Sequence, residues 1–172
     1  MSRILMQKVM SVSLLYQEVT KMLSPKLDKI QRSIISIHRD LFDESPSSMK
    51  LQKLCYYAQG YALAEGNELF PDDFQAWQHG PVVYDLYTKY QDYQWRQIDA
   101  DVDEPDNANY EFLRDIVSAY GRYDGAALST MTHRDKPWIE ARGDLDESAG
   151  SNALITKGSL KEFFSSKLRT HG

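Results

Sequence analysis

The 172-residue sequence contains a single cysteine, Cys55, so no internal disulfide can form, and its four histidines join it in no spacing typical of a zinc site. Basic excess is missing as well. Twenty Lys and Arg stand against 25 Asp and Glu, for a net charge of −5, and no Lys/Arg stripe could neutralise a row of phosphates, which argues against nucleic acid as a partner. Long apolar runs are also lacking: Gln7 and Lys8 interrupt Ile4, Leu5 and Met6, and no later stretch approaches the roughly 20 residues of a membrane span. Neither an export signal nor a membrane contact is therefore expected, and the expected compartment is the reducing cytoplasm. There is no glycine-rich phosphate loop and no dinucleotide fingerprint. The acidic run Asp99, Asp101, Asp103, Glu104 and Asp106 lacks the glycine and the glutamate a calcium loop needs at its sixth and twelfth positions. No metal or cofactor is expected.

The residues that are present suit a folded chain. Hydrophobic residues reach 42% and charged residues 26%, and the length allows one domain with a core and an appended element. Eleven tyrosines supply stiff contact area with a polar tip, as protein interfaces use.

Apolar spacing predicts mostly helices. Leu5, Val9, Val12, Tyr16, Val19 and Leu23 form one helical seam. Ser24-Pro25 then starts a second helix carrying Leu27, Ile30, Ile34, Ile37 and Leu41. The two could close into an antiparallel hairpin, or the first could pair with another chain. Ser47 or Ser48 caps a third helix whose stripe is Leu51, Leu54, Cys55, Ala58 and Ala62, with Lys50, Gln52 and Lys53 off the stripe. Phe74 to Gln78 reads as a short strand, with Ile98 and Val102 as its partner, and Pro81 as the opening of another helix. Further helices are expected over Tyr110 to Tyr120 (capped by Asn109) and Gly125 to Thr132 (capped by Asp124), as a brief turn at Pro137-Trp138, and after Thr156 with Leu160, Phe163, Phe164 and Leu168. The expected fold is mainly α: a compact helical domain over residues 28–172 with a small hairpin-like β element, and an N-terminal helical hairpin extension using residues 1–27.

Four segments together resemble the Panacea domain family, also called SocA-like antitoxins or DUF4065. The first runs from Lys50 through Leu51, Gln52, Lys53, Leu54, Cys55, Tyr56, Tyr57 and Ala58 to Gly60; the second carries Trp77, His79, Gly80, Pro81, Val82, Tyr84 and Tyr87. Leu128 to His133, including Thr132, and Pro137-Trp138 with Arg142 complete the set. The resemblance spans roughly residues 28 to 168. It implies a mainly helical domain acting as the antitoxin of a toxin–antitoxin pair, often on prophages, which neutralises a cognate protein toxin by direct contact and is not an enzyme. One branch of the family instead implies an adaptor that delivers the toxin to a Clp-type protease.

Structural and functional readings compete at each of these residues. For the motif as a whole, Leu51, Gln52, Leu54, Tyr56, Trp77, Gly80, Pro81, Val82, Tyr87, Thr132, His133, Pro137 and Trp138 read first as framework. His133 follows a helix end, where an imidazolium could cap the last carbonyls. Lys50, Lys53 and Tyr57 could form a cationic and aromatic face, and Tyr84, Tyr87, Tyr90 and Tyr93 a tyrosine-rich contact surface. Homo-oligomers could form through the first helix. An enzyme would need Cys55 with His79 or His133 as a hydrolase or transferase site, yet Cys55 lies on an apolar stripe, where a thiol behaves as a small hydrophobe.

Overall fold

The computed structural model describes residues 3–8, 23–102 and 108–171. Residues 3–8 are helical (α1), with Ile4, Leu5 and Met6 exposed. Val9, Val12, Tyr16 and Val19 of the first seam, and with them the hairpin it would form, lie outside the described residues, as do Asp103, Glu104 and Asp106, while Leu23 packs half-buried against the core. Helix α2 (Pro25–Phe42) starts as its sequence dictates: Ser24 Oγ accepts the Leu27 N–H at 3.1 Å, and Pro25 needs no donor in the first turn. Leu27, Ile30, Ile34 and Ile37 are buried along it. Asp43, in the left-handed region at φ 57°, ends the helix by donating its N–H to Arg39 O.

Helix α3 (Ser48–Ala64), capped by Ser47 Oγ on the Lys50 N–H at 3.2 Å, is the centre of the molecule. It has 14 buried residues among its 17, and five other helices pack against it, leaving Met49 in its first turn as its one exposed residue. The expectation that Lys50, Gln52 and Lys53 lie off a buried stripe is thereby corrected: all three are buried with it.

Strand β1 (Phe74–Trp77) turns through Gln78 and His79 into β2 (Gly80–Val82), with Gln75 opposite Val82 and Trp77 opposite Gly80. The other neighbour of β1 is β3 (Leu154–Ile155), Ile155 lying opposite Phe74. Ile98 and Val102 are thus not the partner of the first strand. Ile98 instead fills the core, its N–H donating to Pro46 O at 3.0 Å, while Gln97 bridges to Ser47. Nor does Pro81 open a helix: it sits in β2, an edge strand that tolerates a residue without an N–H, and α4 (Tyr84–Tyr90) begins three residues later.

A short 3-10 turn (Gln91–Tyr93) follows, and then α5 (Tyr110–Tyr120), α6 (Gly125–Thr132), α7 (Lys136–Arg142) and α8 (Lys157–His171). Asp124 caps α6 and Thr156 caps α8, as expected, whereas Asn109 stands at the start of α5 without a capping side-chain bond. Where α8 crosses α3, Gly60 meets the face of Phe164, and a Cβ at Gly60 would overlap that ring. Phe164 is sealed edge-on against Tyr56, Tyr57 and Tyr61, so it has nowhere to move. Gly60→Ala should therefore cost about 1–3 kcal/mol from overpacking, visible as a lowered urea midpoint with unchanged slope; an unaltered midpoint would mean that α8 is free to shift.

Candidate functional site

The motif segments converge around the buried polar side chains of α3. Gln52 exchanges two hydrogen bonds with the backbone of Val83, its Nε2 donating to Val83 O at 3.1 Å and its Oε1 accepting the Val83 N–H at 2.9 Å. Two turns on, Gln59 does the same for the Leu69–Phe70 bend, at 3.0 and 2.7 Å. Lys53 Nζ donates to Pro81 O at 3.1 Å, and Tyr56 donates its hydroxyl to Asp135 Oδ2 at 3.0 Å. The β hairpin and the approach to α7 are thus bolted to one helix.

The fourth segment adds a second set of ties. Trp138 Nε1 donates to Trp77 O at 2.8 Å, and Arg142, its guanidinium lying over the Trp138 ring, donates to Ala76 O at 2.9 Å and to Ala149 O at 2.5 Å. Ser129 Oγ donates to His79 O at 2.5 Å across the hairpin turn. Gly80 is required twice over. Its φ is +111°, and a Cβ there would lie 2.7 Å from both Lys53 Cε and Thr132 Oγ1.

Burial gives this framework unusual titrations. Lys53 is 1% exposed, and desolvation holds its pKa down to about 7. Burial lifts the Asp135 carboxyl to about 6, against the opposing pull of Lys167 and the Tyr56 hydroxyl. The Tyr56 phenol is pushed well up, by burial first and then by Asp135. His133, lowered by burial against the pull of the Gln78 backbone, stacks on Trp138 at 4.3 Å, and its Nε2 is buried without a hydrogen bond. It is therefore a neutral packing ring, and the reading of an imidazolium capping the α6 carbonyls is corrected. Burial raises the Cys55 thiol strongly, and Cys55 shares no hydrogen bond with exposed His79 or with His133, so the described geometry gives it no activating base.

Of the residues expected to meet a partner, several are inside. Lys53 and Tyr57 are core residues, the latter stacked on Tyr120 at 3.8 Å. Lys50 is buried with its ammonium over the Phe42 ring, and Tyr90 donates to Gln31 Oε1 at 2.8 Å beneath the surface. The cationic face expected from Lys50 and Lys53 is accordingly absent. Half-buried Tyr93 donates to Asp99 O at 2.7 Å. Tyr84 and Tyr87 do reach solvent, 53% and 38% exposed, and flank the half-buried Trp77 ring at 6.3 and 4.9 Å. This aromatic triad stands on the outside of the bolted hairpin. Sequence reasoning passed over Trp95, 81% exposed; only its position in a polar stretch outside every apolar seam marked it. No helix among the described residues is long and apolar enough to cross a membrane.

A family model described as "Antitoxin SocA-like, Panacea domain" matches residues 51–139, just over half of the chain, from the first turn of α3 to Ile139 in α7. No curated protein and no solved structure matches the chain.

The two buried ionisable groups make stability depend on pH in opposite senses. Between pH 7 and 10.5 unfolded Lys53 holds a proton that the folded state has released, so stability rises with pH; between 3.8 and about 6 folded Asp135 keeps a proton that the unfolded chain has lost, so stability falls. Urea unfolding should accordingly show a minimum near pH 6–7 and a gain of roughly 2 kcal/mol by pH 9, at about 1.4 kcal/mol per unit. Lys53→Met should abolish the alkaline gain and Asp135→Asn the acid-side fall. A flat wild-type profile from pH 7 to 9 would contradict the burial of a titrating Lys53.

Proposed function

The chain belongs to the SocA-like antitoxin, Panacea domain family, and on that premise we propose that it is the antitoxin of a toxin–antitoxin pair, neutralising a cognate protein toxin by direct contact. The observation that carries the contact part of this reading is the aromatic triad of half-buried Trp77 with exposed Tyr84 and Tyr87. Amphipathic aromatic rings displayed on a rigid element lose little side-chain entropy on binding and dominate interface energetics. Here the element is rigid because Gln52, Lys53 and Trp138 fasten both strands and the start of α4 from beneath. Covering a toxin's working surface requires no chemistry from this chain.

The test is co-expression with the growth-inhibiting product encoded beside it. Wild-type protein should restore growth. Tyr84→Ala combined with Tyr87→Ala should stay folded, with a stability change within about 1 kcal/mol for exposed residues, yet bind the toxin at least about tenfold more weakly. Continued toxicity in the presence of wild-type protein would sink the antitoxin reading. Full rescue by the double variant at matched expression would move the contact away from this face.

A further inference from the structure

A groove of about 530 Å³ opens between the α2–α3 loop, the turn that follows the 3-10 segment and the first turn of α6. Pro46, Met49, Trp95 and Ala126 line it, together with the acidic Glu44 and Asp124 and the single cation Lys50. We propose that this groove receives a basic segment of a partner protein, with an aliphatic or aromatic side chain seated against Trp95 and Met49 and flanking Lys or Arg directed to Glu44 and Asp124. This deepens the partner-binding reading by naming a partner chemistry, and it rests on that reading.

The display of Trp95 is the first support. The turn from Tyr93 to Arg96 is closed by the Arg96 N–H on Tyr93 O at 3.0 Å, with Gln94 at φ 55° and ψ −119°, a conformation that glycine adopts freely and other residues only at a cost of about 1–3 kcal/mol. That strain is held from several sides. The Arg96 guanidinium donates to Asp92 O at 2.9 Å and Tyr93 O at 3.2 Å, and the Tyr93 hydroxyl donates to Asp99 O. Gln97 joins the opposite wall through Glu44 Oε2 and the Ser45 N–H. A strained turn locked in place thus holds an indole in solvent, 81% exposed, beside Met49, itself 38% exposed. A turn fixed in advance in this way spends little binding energy on ordering its own backbone.

Charge selects the occupant. Over the segments that frame the groove, residues 43–50, 91–101 and 122–126, there are six carboxylates and three cations. Two of those cations are engaged: Arg96 folds back onto its own turn, and Lys50 is buried over the Phe42 ring, with Glu44 and Asp124 both acting on it. The third, Arg122, lies over the Tyr123 ring. A second copy of the chain would bring one acidic rim against another, so self-association through this groove is disfavoured, whereas a basic segment gains from both carboxylates and from the indole face.

Two fluorescein-labelled peptides of about 15 residues, sharing a central Leu-Phe anchor and flanked either by Lys/Arg or by Glu, would be titrated with the full chain by anisotropy. The basic peptide should bind at least about tenfold more tightly than the acidic one, weaken in about 0.3 M salt, and blue-shift the Trp95 emission, a shift lost in Trp95→Phe. Trp95→Ala, and separately Glu44→Gln with Asp124→Asn, should each reduce its affinity at least about fivefold; asparagine keeps the α6 cap, so circular dichroism should be unchanged. Equal or preferential binding of the acidic peptide, retention of affinity in Trp95→Ala, or no binding by either peptide would overturn the proposal. So would a concentration-dependent dimer that itself blue-shifts Trp95. Because no toxin enters the assay, its failure and a failure to rescue growth are separate results.

Discussion

Leaving a buried polar side chain without a partner costs about 1–3 kcal/mol, and α3 carries four polar side chains, Gln52, Lys53, Tyr56 and Gln59, to places water does not reach. The rest of the fold answers that constraint. Gln52 can be satisfied only if Val83 presents both its N–H and its carbonyl, Lys53 only if Pro81 O faces inward, and Gln59 only if the chain bends at Leu69–Phe70. Because Pro81 and Val83 stand two residues apart at the end of β2, these bonds fix the position and tilt of the hairpin together. Gly80 follows from the same demand, since the close approach of Lys53 leaves no room for a Cβ above it.

This dependence explains what could be read from the residues and what could not. The starts of α2, α3, α6 and α8 were legible because free N–H groups at a helix end need an oxygen, and Ser24, Ser47, Asp124 and Thr156 supply one at the right spacing. The seam of α2 was legible because Leu27, Ile30, Ile34 and Ile37 bury one face. On α3 the same logic misled. A helix surrounded on all sides has no polar face, and its lysines and glutamines are interior ties that no periodicity distinguishes from solvated ones. Strands of two and three residues, β3 and β2, are too short for an alternation to appear, so nothing in the residues marks them over Ile98 and Val102 as partners of β1.

Exposure was the least legible property of the candidate site. Tyr56, Tyr57 and Tyr90 carry the same side chain as Tyr84 and Tyr87, yet the first three are spent on the core and the last two reach solvent. The difference lies in which elements cover them. Tyr57 meets Tyr120 of α5 and Phe164 of α8, contacts between residues remote in sequence, whereas among the described residues the outer side of the short α4 is left exposed at Tyr84. Trp95 shows the limit from the other side, because it belongs to no seam and its significance depends on the φ of the residue before it.

The partners chosen by α3 also determine what the surface is free to do. Gln52, Lys53 and Gln59 bond to main-chain atoms, as do Trp138 and Arg142, so the hairpin is held by groups that any residue at the acceptor position would offer. The outward side chains of the same segments take no part in these bonds. Tyr84 can therefore change without loosening β2, and Trp95 without disturbing the Arg96 and Tyr93 bonds that shape its turn, since those also end on carbonyls. A framework secured through its backbone can carry different contact residues on one fold. On the proposed antitoxin reading, that separation lets partner choice vary while the buried lysine and its carbonyl stay as they are.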